Sequence, residues 1–208
     1  MKIRRLVVGP IETNCYVISD EHGVVVAIDP GAEPQRIEAA LSGDALAAVL
    51  LTHAHGDHVG AVGPLMRAHP EAKLYCGAAD APAVCDPELN LSAALLMPVS
   101  GPKPDVLLKG GERLQIGKLT FQVIATPGHT AGGVSYLVGD HLFSGDLLFA
   151  GDVGRCDLPG GDCEALLESI RGRVLALSDG VVVHPGHGPE TTVGRERTTN
   201  PYVLGELA

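Results

Sequence analysis

Four side chains of metal-binding type stand within one six-residue segment, His-Ala-His-Gly-Asp-His at positions 53–58. The segment follows the apolar run 48–52, which is typical of a buried strand. Imidazole and carboxylate are ligands that borderline cations such as zinc or iron prefer. In extended chain His53 and His55 point the same way, and a turn into a helix would carry Asp57 and His58 to a neighbouring position. Solvated histidines in a polar loop would explain one His-x-His pair but not this density, so the loop predicts the beginning of two metal sites.

Three further segments repeat the pattern of an apolar strand followed by a glycine-rich corner. They are Thr-Pro-Gly-His-Thr at 126–130, Ser-Gly-Asp at 144–146 and His-Pro-Gly-His-Gly at 184–188. Glycine beside a ligand lets the backbone turn sharply and approach an ion closely, and strand ends hold ligands rigidly. Each corner alone is typical of an ordinary turn. Together, in this order, they predict a metal centre.

The side chains at these four places suffice for two ions joined by one carboxylate. The two sets and the bridging residue are His53, His55 and His129; Asp57, His58 and His187; and Asp146. Each set leaves room for water, which is the mark of a catalytic rather than a structural site. We expect two divalent metal ions per chain, zinc in the first place, with iron or manganese as alternatives.

The other histidines have simpler interpretations. His184 precedes its corner, and we expect it to pack or to hydrogen-bond behind the ligands rather than to bind metal. His22, His69 and His141 lie in apparent turns or helix ends and are expected to be solvated.

The elements that must position these residues are strands mixed with helices. Apolar runs predict strands at 15–19, 24–29, 47–52, 73–76, 119–125, 134–138, 142–144 and 181–184. Helices are predicted at 34–41, 58–68 and 162–177, and Asn200-Pro201 predicts a last short helix. This mixture indicates a layered α/β fold, and the length predicts a single domain over residues 1–208. The proline-rich stretch 90–109 is expected to be irregular, either a flap over the site or a surface connection.

Composition excludes several classes of function. The net charge of −10 and the lack of a basic run argue against a nucleic-acid partner. No apolar run approaches the ~18 residues that a membrane span needs, so we expect no membrane association and a cytoplasmic location. The five cysteines are odd in number and contain no Cys-x-x-Cys pair, which predicts neither a disulfide framework nor a zinc-thiolate site. Each is expected to be a free thiol, and among them Cys156 lies near a motif.

The motifs HAHGDH, TPGHT, SGD and PGHG, with Thr-Asn-Cys-Tyr-Val-Ile at 13–18 and Asp-Pro-Gly at 29–31, resemble the metallo-β-lactamase superfamily over about residues 10–190. The segments 154–162 and 197–201 resemble those of short, single-domain glyoxalase II-like proteins, which are similar to hydroxyacylglutathione hydrolases. This resemblance implies a four-layer αββα sandwich with the metals at the edge between the two sheets. It implies the same ligands as those assigned above, and it implies that Asn14 and Asp29 brace loops beside the site.

The chemistry that suits such a centre is hydrolysis. Two ions ~3.5–4 Å apart can share a water and lower its pKa from 15.7 towards ~7, and the metal-activated hydroxide attacks an acyl carbonyl. Asp57 is expected both to bind metal and to orient the hydroxide. A thiol with a pKa of ~8.5 leaves readily as thiolate, so S-lactoylglutathione or a related acyl thioester is the expected small-molecule substrate. Arg155 is the candidate for binding a substrate carboxylate, and Asp157 is expected to orient the Arg155 side chain or to close the loop. The alternative is that Arg155 and Asp157 form an ion pair that only holds their loop together.

Several alternatives stay open. About twenty residues follow His187, too few for the helical C-terminal domain with which glyoxalase II enzymes hold glutathione, so a different thiol conjugate is an alternative substrate. The carboxylate of Asp146 argues against a β-lactamase. A mononuclear iron persulfide dioxygenase, using His53, His55 and Asp146, is the main alternative activity, and a non-catalytic metal-binding module is the third. The oligomeric state is left open.

Overall fold

Two six-stranded β-sheets pack face to face at the centre of the structure, a computed structural model that describes residues 1–207. The first sheet has the order β1-β2-β3-β4-β5-β6, and its strands are β1 (Lys2–Val8), β2 (Thr13–Ser19), β3 (Val25–Ile28), β4 (Leu46–Leu50), β5 (Lys73–Gly77) and β6 (Val106–Leu108). The remaining strands are β7 (Arg113–Ile116), β8 (Leu119–Ala125), β9 (Val134–Val138), β10 (His141–Gly145), β11 (Leu148–Phe149), β12 (Asp152–Val153), β13 (Val182–Pro185) and β14 (Thr191–Thr192). The second sheet has the order β14-β13-β10-β9-β8-β7, and β11 and β12 form a separate hairpin.

Helices cover the outer face of each sheet. They are α1 (Pro34–Leu41), α2 (Gly56–Val59), α3 (Val62–Ala68), α4 (Ala81–Cys85), α5 (Cys163–Ser169), α6 (Val193–Thr199) and α7 (Pro201–Leu204), and a π-helical turn, Ile170–Val174, continues α5. Among residues 1–207, none of the helices has the length and apolar character that a membrane crossing requires.

Three hydrophobic clusters separate the four layers. Alternation along β2 shows how they arise, because Cys15 and Val17 face the helices α1 and α3, whereas Tyr16 and Ile18 face the second sheet. The third cluster lies between the second sheet and the helices α5 and α6. The predicted αββα sandwich is confirmed.

Strand direction brings the ligand-bearing corners to one edge. In the second sheet β8 and β10 are each antiparallel to β9, and β13 is parallel to β10, so β8, β10 and β13 all end at the same edge. Backbone contacts tie this edge to the first sheet: Asn14 N donates to Gly186 O at 2.7 Å, and Thr13 forms an isolated bridge with His187. The corners therefore lie where the two sheets meet.

Strong periodicity predicted the regular elements well. The bounds of α1, β8 and β9 agree with the sequence prediction residue for residue. The helix predicted over 58–68 is divided into α2 and α3, because Ala61 N donates to Pro30 O and the chain turns at Gly60 against the loop after β3. The strands β1, β6, β7, β11, β12 and β14 and the helices α4 and α6 were not predicted.

The expectation that every cysteine is a free thiol is wrong for two of them. Cys156 and Cys163 form a disulfide, with Cα atoms 4.9 Å apart. The chain between them folds back through a turn in which Gly161 N donates to Leu158 O at 2.8 Å, and this turn brings the two side chains together. Cys15 and Cys76 are buried thiols and Cys85 is an exposed one.

Candidate metal centre

The loop between β4 and α2 carries the first four candidate ligands. His53 and His55 follow the strand in extended chain, with ring centroids 4.8 Å apart. Asp57 and His58 lie in the single turn of α2 and point to a second position. His53 and His58 are fully buried. The turn at α2, predicted from the sequence, directs the four side chains of this loop to two separate positions.

The corners of the second sheet complete two groups of three side chains. In the first triad, His53, His55 and His129 each offer a ring nitrogen within 4.8 Å of the others, and His129 Nε2 lies 2.9 Å from His55 Nδ1. The second triad is Asp57, His58 and His187. Its closest distances join Asp57 Oδ2 to His58 Nε2 at 3.3 Å and to His187 Nε2 at 3.2 Å.

Asp146 lies between the two triads. Its Oδ1 is 3.5 Å from His58 Nε2, and its Oδ2 is 3.7 Å from His129 Nε2 and 3.5 Å from His187 Nε2. Gly186 is required at this point, because a Cβ there would overlap Asp146 Oδ1 and crowd His58 Cε1. One carboxylate therefore faces both groups, as the sequence predicted for a bridging residue.

These residues fit a bound metal. His53 Nε2, His58 Nε2 and Asp146 Oδ1 are buried without a hydrogen-bond partner, and such orphaned polar atoms cost ~1–3 kcal/mol each unless another group satisfies them. Ligand atoms bound at ~2.0–2.1 Å around a tetrahedral zinc are roughly 3.3 Å apart, which is the separation found around Asp57 Oδ2. A cation in each triad would satisfy the orphaned atoms.

Hydrogen bonds behind His53 fix its orientation. Asp29 accepts from Thr52 N at 2.8 Å and from the Thr52 hydroxyl at 2.6 Å. Because that hydroxyl proton is committed to Asp29, its oxygen accepts from His53 Nδ1 at 3.1 Å. This assignment leaves the lone pair of His53 Nε2 directed at the triad, the tautomer that binds metal.

The other candidate histidine ligands are braced in a similar way. Asp29 Oδ2 also lies 3.0 Å from His58 Nδ1, and His129 Nδ1 is 2.6 Å from the carbonyl oxygen of Arg155. Asn14 Nδ2 donates to the carbonyl oxygens of Pro185 and Gly188, both at 2.9 Å, and so holds the corner of His187. Asp29 and Asn14 thus brace the site, as the resemblance implied. Asp29 with His53 and His58 also forms a group of ligand type, but the Asp29 oxygens are already engaged.

Burial and neighbouring charge shift the pKa values of these side chains in opposite directions. Burial, aided by nearby histidines, lowers the pKa of His53 well below its ordinary range and that of His55 to about 3, so both rings are neutral and able to bind metal. Burial opposes charge on Asp57 and His58 as well, but their mutual attraction prevails. It lowers the pKa of Asp57 and, with Asp146 and Asp29, raises the pKa of His58.

Both triads open into a cleft of about 690 Å³, which we call the metal cleft. Its floor includes His55, His129, Asp146 and His187. Residues 90–95, from the irregular stretch, lie at its wall and are anchored there, since Gly56 N donates to Asn90 O at 2.8 Å. The sequence predicted either a flap over the site or a surface connection, and the first part of this stretch borders the site.

Comparison with known proteins identifies the family. Residues 8–189 match the model of the metallo-β-lactamase superfamily. The chain belongs to this superfamily. It is thus a metallohydrolase of that superfamily, with a cluster of histidines and aspartates suited to metal binding.

Two curated relatives match over nearly the whole chain. The probable metallo-hydrolase YqgX of Bacillus subtilis is 40% identical over 211 residues, covering 99% of this chain and 99% of the relative. The hydroxyacylglutathione hydrolase GloC of Haemophilus influenzae is 34% identical over 213 residues and covers 98% of both chains.

Solved structures show the same fold. The B3 metallo-β-lactamase BLEG-1 is 40% identical with a TM-score of 0.94, covering 98% of this chain and 100% of that one. TTHA1623 in a di-iron-bound form is 43% identical with a TM-score of 0.83, covering 96% and 99%. ETHE1 from Myxococcus xanthus is 31% identical with a TM-score of 0.83, covering 99% and 85%.

Arg155 was predicted to bind the substrate. It lines the metal cleft, but its side chain is paired with Asp157. Its Nε and Nη2 donate to the two oxygens of Asp157 at 2.9 and 2.8 Å, and both side chains are largely exposed. The pairing raises the pKa of Arg155 and lowers that of Asp157. The pair therefore closes its own loop, and Arg155 lies at the lining of the cleft.

The remaining histidines lie outside the two triads. His184 stacks on Phe143 with ring centroids 4.7 Å apart and lies 3.1 Å from Glu190, so it packs behind the site as predicted. The prediction of a solvated turn is wrong for His141, which lies in β10 with Nδ1 2.8 Å from His184 Nε2. His69 ends α3 half-buried against Glu38, whereas His22 is exposed.

Sequence reasoning gave no role to two threonines of the site. Thr52 connects Asp29 to His53, as described above, and the Thr13 hydroxyl donates to Asp57 Oδ2 at 2.8 Å. Only their positions in the sequence could have indicated these roles. Thr52 directly precedes the first candidate ligand, and Thr13 opens β2 in the part of the chain that resembles the superfamily.

Proposed function

We propose that this protein hydrolyses small-molecule acyl thioesters at a dinuclear metal centre. The observation that carries the proposal is the position of Asp146, whose Oδ2 lies between His129 of the first triad and His187 of the second, while its Oδ1 faces His58. A single-ion site built from His53, His55 and Asp146 would not need the second triad of Asp57, His58 and His187.

The chain offers a definite set of ligands for each ion. His53, His55 and His129 would hold one ion, Asp57, His58 and His187 the other, and Asp146 would contact both. When bound, the two ions would supply Lewis acidity that polarises an acyl carbonyl and lowers the pKa of water. Zinc suits the imidazole-rich donor set, and iron or manganese are the alternatives; the di-iron form of TTHA1623 supports iron.

The side chains of the site then divide the remaining tasks. Asp57 stays ionised, since His58 and His187 lower its pKa, and its carboxylate can accept a hydrogen bond from the attacking water and so orient it. The Thr13 hydroxyl fixes the carboxylate from the other side. Arg155 lies at the cleft wall, where its guanidinium can bind a carboxylate of the substrate. A departing thiolate, with a thiol pKa of ~8.5, needs no acid from the protein.

The thioester class rests on this chemistry and on likeness to GloC, a hydroxyacylglutathione hydrolase. S-lactoylglutathione is therefore the first substrate to test, followed by acyl thioesters of other thiols. The protein should be purified without added metal, its metal content measured by mass spectrometry, and thiol release followed with a chromogenic thiol reagent. We expect about two equivalents of metal per chain and hydrolysis that stops on chelation.

Asp57→Asn is the decisive variant. It keeps the shape of the side chain but removes the charge that the second triad requires, so we expect loss of about one metal equivalent and a fall in kcat of at least about a hundredfold. Asp44→Asn is the matched control, because Asp44 is exposed and precedes β4, at the strand end opposite the site. Unchanged metal content in Asp57→Asn would contradict the ligand assignment.

The same preparation tests the rival activities. One iron per chain with oxygen consumption on adding glutathione persulfide would replace the hydrolase with the dioxygenase. Because BLEG-1 is a B3 metallo-β-lactamase, a chromogenic cephalosporin should be assayed beside the thioesters, and faster turnover of the cephalosporin would overturn the thioester proposal. Bound metal with no turnover of any of these would indicate a binding module.

A further inference from the structure

A second cavity, of about 360 Å³, opens beside the metal cleft, and we call it the apolar pocket. Its walls come from four separate parts of the chain: the turn between β1 and β2, the loop after β3, α2 with Gly60, and the irregular stretch 90–109. The apolar side chains that line it include Val8, Ile11, Ala32, Leu95, Met97 and Val99.

The apolar pocket is continuous with the candidate metal centre. Ile11, Gly56, Asp57 and Leu95 line both cavities. Asp57 stands where they meet, with Thr13 beside it. A molecule whose reacting carbonyl lies near Asp57 can therefore extend one arm into each cavity.

The two cavities differ in the ionisable side chains that line them. Among the described residues that line the apolar pocket, Asp57 at its inner end is the sole ionisable one. The metal cleft also contains Arg155 and Asp152. An acyl thioester has two arms on its carbonyl, the acyl chain and the thiol carrier, and a polar carrier with a carboxylate suits the side of Arg155.

We propose that the apolar pocket binds the acyl chain, and that the substrates are thioesters of apolar acyl chains of about six to eight carbons; this rests on the proposed thioesterase function. At the ~30 Å³ of a water molecule for each methylene, such a chain occupies roughly 180–240 Å³, which the cavity of about 360 Å³ accommodates with room to spare. A lactoyl group, small and hydroxylated, would leave most of the pocket to water.

Exposure of the pocket walls supports an apolar occupant. Leu95 is 58% exposed, Met97 52% and Ile11 47%. A bound chain would remove part of this apolar surface from water, which improves binding about fourfold for each methylene that becomes fully buried.

The test uses glutathione thioesters of increasing acyl length, acetyl, butanoyl, hexanoyl and octanoyl, with S-lactoylglutathione alongside. We expect kcat/KM of the metal-loaded enzyme to rise about threefold to fourfold per methylene up to hexanoyl or octanoyl. Leu95→Ala should lower the octanoyl value about tenfold and the acetyl value less. Leu96→Ala is the matched control, because Leu96 is the next residue but is 89% exposed and does not line the pocket, and we expect it to behave as wild type.

Binding gives a second readout that does not depend on turnover. Octanamide, an uncharged probe, should bind the wild-type protein in calorimetry more tightly than acetamide does, and Leu95→Ala but not Leu96→Ala should weaken it. A flat chain-length profile with normal S-lactoylglutathione hydrolysis would overturn the acyl pocket and leave the thioesterase intact. Tight, Leu95-dependent octanamide binding without hydrolysis of any thioester would keep an alkyl-binding pocket but overturn the thioesterase and, with it, the acyl-thioester assignment. Equal binding of both amides overturns the pocket outright.

Discussion

The disulfide between Cys156 and Cys163 should stabilise the corner that carries His129. The two cysteines are seven positions apart, and closing a loop of that length removes chain entropy worth ~2.5 kcal/mol at 25 °C. The loop is tied to the corner at both ends: His129 Nδ1 bonds the carbonyl oxygen of Arg155 at 2.6 Å, and Asp162 N donates to Gly128 O at 2.7 Å. Loss of the disulfide therefore frees a segment that supports a ligand.

The perturbation is the double variant Cys156→Ser/Cys163→Ser. With a Tm shift of roughly 2–4 °C per kcal/mol for a protein of this size, the loss of ~2.5 kcal/mol should lower Tm by about 5–10 °C. Thermal melts followed by circular dichroism measure this. Wild-type protein treated with a phosphine reductant should melt at the temperature of the variant. Cys85→Ser is the control, since this exposed thiol lies outside the loop.

Thiol titration separates the alternatives. Wild-type protein denatured without reductant should give three thiols per chain, those of Cys15, Cys76 and Cys85. All five cysteines of the sequence reacting would show that the disulfide does not form. Three thiols with an unchanged Tm in the double variant would refute the argument that the loop is a stabilising element.

Two further predictions concern residues behind the ligands. Thr52→Val removes the hydroxyl that connects Asp29 to His53, and we expect metal affinity to fall about tenfold to a hundredfold in competition with a chromophoric chelator, because the ring loses its orienting partner. Burial lowers the pKa of His184 below its ordinary value, so the folded state favours the neutral ring. The stability that this preference contributes is fully present above about pH 6.5 and is lost as the pH falls below that value. The Tm of wild-type protein should therefore fall more between pH 8 and pH 5 than the Tm of His184→Gln.

Each of these has a matched control. Thr120→Val removes a threonine hydroxyl that bonds Gln115 far from the ligands, and it should leave metal affinity unchanged. His22→Gln removes an exposed histidine, and its Tm should follow the wild-type pH profile. Equal affinities in Thr52→Val and wild type, or parallel pH profiles in His184→Gln and wild type, would contradict the respective arguments.

The clustering of the candidate ligands could be predicted from the sequence because local patterns encode their positions. A buried strand followed by a glycine corner places a side chain at a sheet edge, and the edge is shared when the strands run in the same direction. The periodicity of α1 and β8 is strong because each buries one face, whereas β9 was recognisable as a short apolar run that is buried on both faces. By contrast, β1 is an edge strand with an exposed, basic beginning, and its pattern is not distinct from that of a polar terminus.

What the sequence did not predict depends on contacts between distant segments. The disulfide has no spacing signature, and it forms because the turn at Gly161 reverses the chain. The apolar pocket joins Ile11, Ala32 and Leu95, and no periodic pattern relates these three positions. The exposed Leu95 and Met97 could have been noted in the sequence only as apolar residues within an irregular stretch.

The division of the candidate ligands between the two sheets has a consequence for how the protein assembles. His53, His55, Asp57 and His58 come from the first half of the chain, and His129, Asp146 and His187 from the second. Among the described residues, neither half holds all three members of either candidate triad, so a metal site built from them would be complete only after the sheets have docked. Metal uptake during refolding should therefore report the docking of the two sheets. An ion bound by residues of both halves would stabilise the folded state and slow the separation of the halves.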